Sequence, residues 1–331
     1  MNIQKISLAD DLAICRILNG MWQVSGGHGQ INPKSAISEM LEYHKVGFTT
    51  WDLADIYGPA ESYIGEFRKL LSPVELLKSQ ALTKFVPNPG PMTKSIVEYY
   101  VDQSLKKMNT ASLDLLQFHW WDYNNPSYLD ALTHLTTLKE NGKIKHLGLT
   151  NFDTQRVKIM IDKGFKLVSN QIQYSILDQR AEKLMTPFCQ KHGISLLAYG
   201  TLLGGFLSEK YLDSPEPHRS NLTTSSLQKY YNMITVWGGW GLFQELLQIL
   251  SQIAKKHNSS IANVSAKFIL DKPAVAGIII GTRLGISEHR QDNSHVFDLE
   301  LDSQDYALIS SITKKSNNLF DAIGDCGDEY R

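Results

Sequence analysis

Apolar positions along the chain fall into two alternating rhythms. Short runs rich in β-branched and aromatic residues recur at 14–22, 48–54, 81–86, 113–120, 144–149, 168–174, 194–199 and 275–281. Their length and composition suit buried strands. Between them apolar residues return every three or four positions, the spacing of an amphipathic helix. The punctuation agrees with this. Asn32-Pro33 places an N-cap and a first-turn proline before 33–46, and Thr93 opens 93–108. The segment 126–140 stops at Asn141-Gly142, 154–162 at Lys163-Gly164, and 180–191 at His192-Gly193. Helical periodicity resumes at 242–256 and 261–270.

Eight strands alternating with helices predict a single-domain (β/α)8 TIM barrel over 1–331, with its core at about 14–315, and not a doubly wound sheet with a second lobe. An N-terminal strand or hairpin, a long loop after the seventh strand and a C-terminal helical tail complete the expectation. The loop spans 208–239 and is polar. A loop of that length reads either as a lid over a site or as a disordered stretch. The tail, 303–331, is expected to add a helix and then fray.

Composition narrows the function classes. With 331 residues, 42% of them hydrophobic, the chain can bury a large core. A net charge of −1 creates no field that would draw nucleic acid or a membrane surface, so neither is expected as a partner. Three scattered cysteines make neither a disulfide framework nor a metal pair, and no metal is expected. The first residues lack a signal peptide's apolar run, and no stretch approaches the roughly 20 residues of a membrane span. The expectation is a soluble, cytoplasmic protein. Asn221, Asn258 and Asn263 match the glycosylation acceptor pattern, which carries no meaning in that compartment. The loop Gly26-Gly27-His28-Gly29 lacks the third glycine of a dinucleotide fingerprint, and its helix waits until Pro33. None of the 14 tyrosines is followed four residues later by lysine.

Barrel enzymes carry their chemistry at the C-terminal ends of the strands. Read in order, those ends hold Gly20-Met21-Trp22, Asp52 with Tyr57, Lys84, His119, Thr150-Asn151, Gln171 with Tyr174, Tyr199-Gly200 and Gly281-Thr282-Arg283. Taken singly, Asp52 and Lys84 read as a rim ion pair, His119 as a core histidine beside Trp120-Trp121, and Tyr57 as a rim tyrosine packed on its turn. Four titratable groups at three consecutive strand ends point instead to a site.

These residues also carry a family resemblance. The block Thr50-Trp51-Asp52-Leu53-Ala54-Asp55-Ile56-Tyr57-Gly58 resembles a signature of the aldo-keto reductases, as do Leu82-Thr83-Lys84, Leu116-Gln117-Phe118-His119 and Gly148-Leu149-Thr150-Asn151-Phe152. Asn170-Gln171-Ile172-Gln173-Tyr174 and Ala198-Tyr199-Gly200 are similar to later blocks, and the likeness runs from about Leu18 to Asn293. The resemblance implies an NAD(P)H-dependent reductase of aldehydes or ketones, or the reverse alcohol dehydrogenase. Tyr57 would be the general acid, Lys84 and Asp52 would tune it, and His119 would complete a tetrad. The residue types suit that work, since an ammonium beside a phenol lowers a proton affinity of about 10 towards neutral pH.

The same resemblance assigns the cofactor. Thr150, Asn151 and Gln171 would meet the nicotinamide carboxamide, Tyr199 would stack on its ring, and Gly20 and Trp22 would border it. Gly200, Leu202 and Gly204 would bring backbone to the pyrophosphate. Arg283, His289 and Asn293 would clamp the adenosine end, Arg283 favouring NADPH over NADH; Arg219 is a second phosphate candidate. Trp22, Tyr57, His119 and Trp120 would line the substrate pocket with the long loop, joined by Trp237 or Trp240. Asp55 is read as a structural turn residue. Two departures stand out. About two extra residues separate Arg283 from Asn293, and Gly200-Thr201 replaces a commoner Ser-Pro. A cofactor-sensing regulatory subunit on the same fold is the alternative, and a lyase forming a Schiff base on Lys84 a third reading. The substrate class, reaction direction and oligomeric state are not legible.

Overall fold

The computed structural model describes residues 2–29 and 31–330, so Arg331 of the tail lies outside the described residues. Its first element is an antiparallel hairpin of β1 (Lys5–Ala9) and β2 (Leu12–Cys15). Eight parallel strands then close a barrel: β3 (Ile17–Gly20), β4 (Thr50–Asp52), β5 (Gln80–Phe85), β6 (Leu113–Phe118), β7 (Ile144–Thr150), β8 (Ser169–Gln173), β9 (Ser195–Tyr199) and β10 (Val275–Gly281), with β10 returning to β3. The helices α1 (Pro33–Lys45), α2 (Ala60–Lys69), α3 (Pro73–Leu76), α4 (Lys94–Lys107), α5 (Tyr128–Glu140), α6 (Thr154–Asp162) and α7 (Met185–His192) lie between successive strands. Between β9 and β10 come α8 (Ser225–Trp237), α9 (Gly239–Lys256) and α10 (Ile261–Leu270), and after β10 come α11 (Arg290–His295), α12 (Ser303–Thr313) and α13 (Leu319–Ile323). The expected (β/α)8 barrel is therefore the observed fold.

Side chains alternate along each strand, which sorts the barrel interior into layers. Leu18, Leu82, Leu115, Leu197 and Ala276 form an apolar floor with Leu8, Leu12 and Ile14 of the hairpin. The hairpin thus plugs the N-terminal end, and each buried leucine is worth about 1.5–3 kcal/mol. Two residues further along β5 and β6 come Lys84 and Gln117, which Gln171 of β8 joins, so a polar layer rests on the apolar one.

Three expectations shift in detail. The apolar run 14–22 is split at Arg16, because the chain turns there from the hairpin into the barrel. The Arg16 carbonyl accepts from Ile278 N at 2.9 Å, and its guanidinium donates to the carbonyls of Val275 and Ala276 at 3.1 and 3.3 Å. The polar stretch 208–239 is not a bare loop, since its second half is α8, capped by Thr224. The tail does not fray through its described residues: after α13, the 3-10 turn Asp328–Tyr330 folds back onto the barrel mouth. Among the described residues, no helix is long and apolar enough to cross a membrane, and no group of three His, Cys, Asp or Glu could hold a metal ion.

One helix crossing depends on a missing side chain. A Cβ at Gly65, in the middle of α2, would sit 2.1 Å from the Lys107 carbonyl oxygen at the end of α4. Alanine normally stabilises a helix interior by about 1 kcal/mol over glycine. Here Gly65→Ala is expected to reverse that sign and cost about 1–3 kcal/mol by overpacking. A urea unfolding midpoint at or above the parent's would show that the α2–α4 contact yields freely.

Candidate active site

The polar layer centres on Asp52, the last residue of β4 and almost fully buried. Its Oδ2 accepts from Lys84 Nζ at 2.6 Å, and its Oδ1 from Gln171 Nε2 at 2.7 Å and Gln117 Nε2 at 3.0 Å. Lys84 Nζ also donates to the Leu53 carbonyl at 3.0 Å. Burial pushes the Lys84 ammonium below the ordinary lysine range, and Asp52 opposes that. Gln171 thus turns its amide NH2 inward, to Asp52 and to Gln117 Oε1 at 2.7 Å. The family resemblance assigned the Gln171 amide to a nicotinamide carboxamide. The reason for the difference is the buried carboxylate, which draws every donor within reach.

Above this layer Tyr57 closes the turn after β4, its backbone N–H donating to Ala54 O at 3.1 Å. The Lys84 ammonium lies 5.0 Å from the centre of its ring, and Trp22 packs edge-on at 4.9 Å. Lowering of the Tyr57 proton affinity by Lys84 was expected; the phenol is instead held well above its ordinary range, first by burial and then by Asp52. Asp52 neutralises the ammonium, so at Tyr57 the pair carries little net charge and the cost of burying a phenolate prevails.

His119 follows β6, one strand over from Lys84, with its backbone N–H on Phe85 O at 3.0 Å. Its Nδ1 lies 3.0 Å from the Thr150 carbonyl oxygen. A carbonyl only accepts, so Nδ1 carries the hydrogen. The indole against His119 belongs to Trp121, at 4.3 Å between ring centres. Trp120, expected in the substrate wall, is fully buried, and its Nε1 donates to the carbonyls of Asp122 and Asn125 at 2.7 and 2.9 Å. Trp237 and Trp240 are likewise buried in the core, Trp240 Nε1 donating to Ser214 O at 3.0 Å.

On the far side of the mouth, Tyr199 ends β9 and its hydroxyl donates to Asn151 Oδ1 at 2.8 Å. Asn151 sits at φ 58°, a left-handed backbone that asparagine tolerates. The tail shares this place. Tyr330 OH lies 3.0 Å from Tyr199 OH and accepts from Lys229 Nζ of α8, and that ammonium stands 5.1 Å over the Tyr199 ring. Arg180 anchors the tail: buried against Asp178 at 2.8 Å, it donates to Glu329 Oε2 at 2.9 Å and Asp325 O at 3.1 Å. Sequence reasoning passed over Arg180, Lys229 and Tyr330. Gln117, a buried amide between Leu116 and Phe118, was the one legible signal among the residues it missed.

The glycine strip after β9 has an occupant as well. A Cβ at Gly200 would meet Tyr230 OH at 2.4 Å, and one at Gly204 would press on Ser226 and Tyr230. The close approach that glycine permits is made here by α8, and Leu202 lies between them in the same turn. Gly20 ends β3, its carbonyl accepting from Thr282 Oγ1 at 2.8 Å. Arg283 and His289 are exposed on the segment after β10, Asn293 is buried in α11, and none of the three contacts the tetrad. Arg219 lies over the Tyr231 ring at 5.4 Å. A nicotinamide dinucleotide fits the mouth in kind: an aromatic face, amides and hydroxyls converge there.

A closed parallel barrel with titratable groups gathered at its C-terminal mouth has the layout of a barrel enzyme. The chain belongs to the Aldo/keto reductase family, whose profile matches residues 16–314. An aryl-alcohol dehydrogenase of Pestalotiopsis microspora is 26% identical over 313 residues, spanning 88% of this chain and 75% of that protein. The NADH-specific methylglyoxal reductase of Escherichia coli K12 is 22% identical, spanning 94% and 99%. Flagellar radial spoke protein 5 of Chlamydomonas reinhardtii is 30% identical over 177 residues, which span 48% of this chain and only 33% of that protein. The crystal structure of a thermostable aldo-keto reductase with the inhibitor epalrestat superposes with a TM-score of 0.73 at 22% identity, covering 94% of this chain and all of that one. That likeness supports the fold.

Asp55 has a structural task and an unusual carboxyl. Its Oδ2 accepts from Val86 N at 3.2 Å, while its buried Oδ1 has no hydrogen-bond partner among the described residues. Burial pushes its pKa up to about 7. An unfolded aspartate ionises near 3.9, so folding is penalised increasingly from about pH 4 to 7, with the full penalty above that. Asp55→Asn removes the charge and keeps the acceptor for Val86. Its thermal midpoint relative to the parent is expected to rise between pH 4.5 and 7.5, and a pH-independent difference would contradict the assignment.

Proposed function

We propose that this chain is a nicotinamide-dependent oxidoreductase that reduces an aldehyde or ketone to an alcohol, or runs the reverse reaction, with barrel and tail acting as one unit. The observation that carries the reading is the buried Asp52–Lys84 pair beneath Tyr57, with His119 one strand away. A bound nicotinamide supplies hydride to the carbonyl carbon. Tyr57 gives its proton to the carbonyl oxygen, and Lys84 stabilises the phenolate as it forms. Asp52 keeps Lys84 charged and aimed. His119, with its hydrogen on Nδ1 bound to the Thr150 carbonyl, borders the substrate and limits how it can lie. Trp22 and Trp121 supply aromatic walls that accept flat or apolar carbonyl compounds. Asn151, Thr150 and Tyr199 would hold the nicotinamide, and Arg283, exposed and forked, favours the 2′-phosphate of NADPH. The NADH-specific relative makes both cofactors part of any trial.

The decisive trial follows NADPH and NADH consumption against sugars, aliphatic and aromatic aldehydes and quinones. Tyr57→Phe is expected to lower kcat by about 10²–10⁴-fold while cofactor still binds. Parent-like turnover by that variant would remove Tyr57 from the chemistry, and trapping of substrate on Lys84 by borohydride would favour a Schiff-base lyase instead.

The reading also assigns a cost to the tail, because Tyr330 and Lys229 crowd the ring on which nicotinamide would lie. A protein that must first clear its site binds more weakly by the fraction of time the site is open. Tyr330→Ala is expected to tighten NADPH binding about tenfold, or about 1.4 kcal/mol, in a fluorescence titration. Weaker binding would make Tyr330 part of the cofactor's own wall.

A further inference from the structure

We infer that Gln117 is a positioning residue of this site, orienting the Asp52 carboxylate so that Lys84 is held beneath Tyr57. The inference rests on the reading of Tyr57 as proton donor. Gln117 is fully buried near the end of β6, within Leu113-Asp114-Leu115-Leu116-Gln117-Phe118. A buried amide is costly unless its hydrogen bonds are met. Those of Gln117 are met within the ion-pair layer: its Nε2 donates to Asp52 Oδ1 at 3.0 Å, and its Oε1 accepts from Gln171 Nε2 at 2.7 Å. Gln171 Nε2 also reaches Asp52 Oδ1, at 2.7 Å, which closes a triangle.

The triangle divides the carboxylate. Oδ1 takes both amides and Oδ2 takes the ammonium at 2.6 Å. A carboxylate held by lysine alone could rotate about its last bond and draw the lysine with it. With Oδ1 fixed from two strands, Oδ2 has one direction in which to hold Lys84. Strand register sets this arrangement, because Gln117 pairs with Lys84 across β5 and β6.

The chemistry also demands that residue 117 donate towards Asp52, which yields a signed test. Glutamate has nearly the shape of glutamine. While neutral, its carboxyl can donate an O–H to Asp52 Oδ1; once ionised, it places a second anion against Asp52. The experiment measures kcat and KM against pH for the parent, Gln117→Glu and Gln117→Leu, with the best carbonyl substrate, and cofactor affinity by fluorescence. Gln117→Leu is expected to lower kcat about tenfold or more with cofactor affinity and carbonyl KM within about twofold. Gln117→Glu is expected to approach the parent's kcat at about pH 5.5 and to lose about tenfold or more by pH 8, where the parent does not. A glutamate variant with the parent's pH profile, or with a loss equal at all pH values, overturns the assignment. If the leucine variant does not fold, the glutamate profile still decides. Active Tyr57→Phe would strike at the proton-donor reading itself, a result separate from either Gln117 outcome.

Discussion

The structure above the barrel floor depends on one buried ion pair. Moving Asp52 and Lys84 out of water costs several kcal/mol for each ion, and their mutual attraction returns that only when the remaining lone pairs and protons are satisfied. Here Gln117 and Gln171 meet one carboxylate oxygen, Lys84 meets the other, and the Leu53 carbonyl takes a second proton of the ammonium. These partners come from the adjoining strands β4, β5 and β6 and from β8 across the mouth. Only a closed barrel can supply them to one point. The hairpin and the layer of leucines over it close the barrel beneath that point, so the charges meet only the C-terminal mouth.

A neutral pair also sets the state of the groups above it. Had Lys84 stood alone, its charge would favour ionised Tyr57. Compensated by Asp52, it leaves burial as the stronger influence, and the phenol stays protonated. A protonated phenol is the form a proton donor must start from. In the proposed reaction the ammonium would matter at the moment of transfer, 5.0 Å from the ring on which negative charge would develop.

Much of this was legible in the sequence, for a physical reason. The strands are apolar on both faces, so they end abruptly at the first residues that must meet the mouth, and Asp52, Lys84, His119 and Asn151 mark those ends. Boundaries were less legible where tertiary contacts decide them. Arg16 breaks an apolar run because its guanidinium caps the carbonyls of β10. Neighbouring indoles were confused because nothing local tells which of Trp120 and Trp121 faces inward; the 122–125 turn settles it by taking the Trp120 N–H. The tail was invisible as a docked element, since its anchor, Arg180, lies about 150 residues upstream in an ordinary-looking 3-10 turn. Gln117 stood in plain view as a polar residue among leucines. Only the neighbouring strands reveal what it serves.

The tautomer of His119 completes the division of labour. With Nδ1–H committed to the Thr150 carbonyl, a neutral imidazole offers only a lone pair at Nε2. Such a group can accept from an alcohol, or orient a hydroxyl, but it donates to a carbonyl oxygen only after gaining a second proton. In the proposed carbonyl reduction the proton would therefore come from Tyr57, while the His119 ring, held by the Thr150 carbonyl, bounds the oxygen's place by its shape. In the proposed alcohol oxidation Tyr57, ionised beside Lys84, would take the single hydroxyl proton, with the His119 ring bordering the oxygen. On the proposed reading one arrangement would serve both directions, with the proton on Tyr57 setting which of them starts.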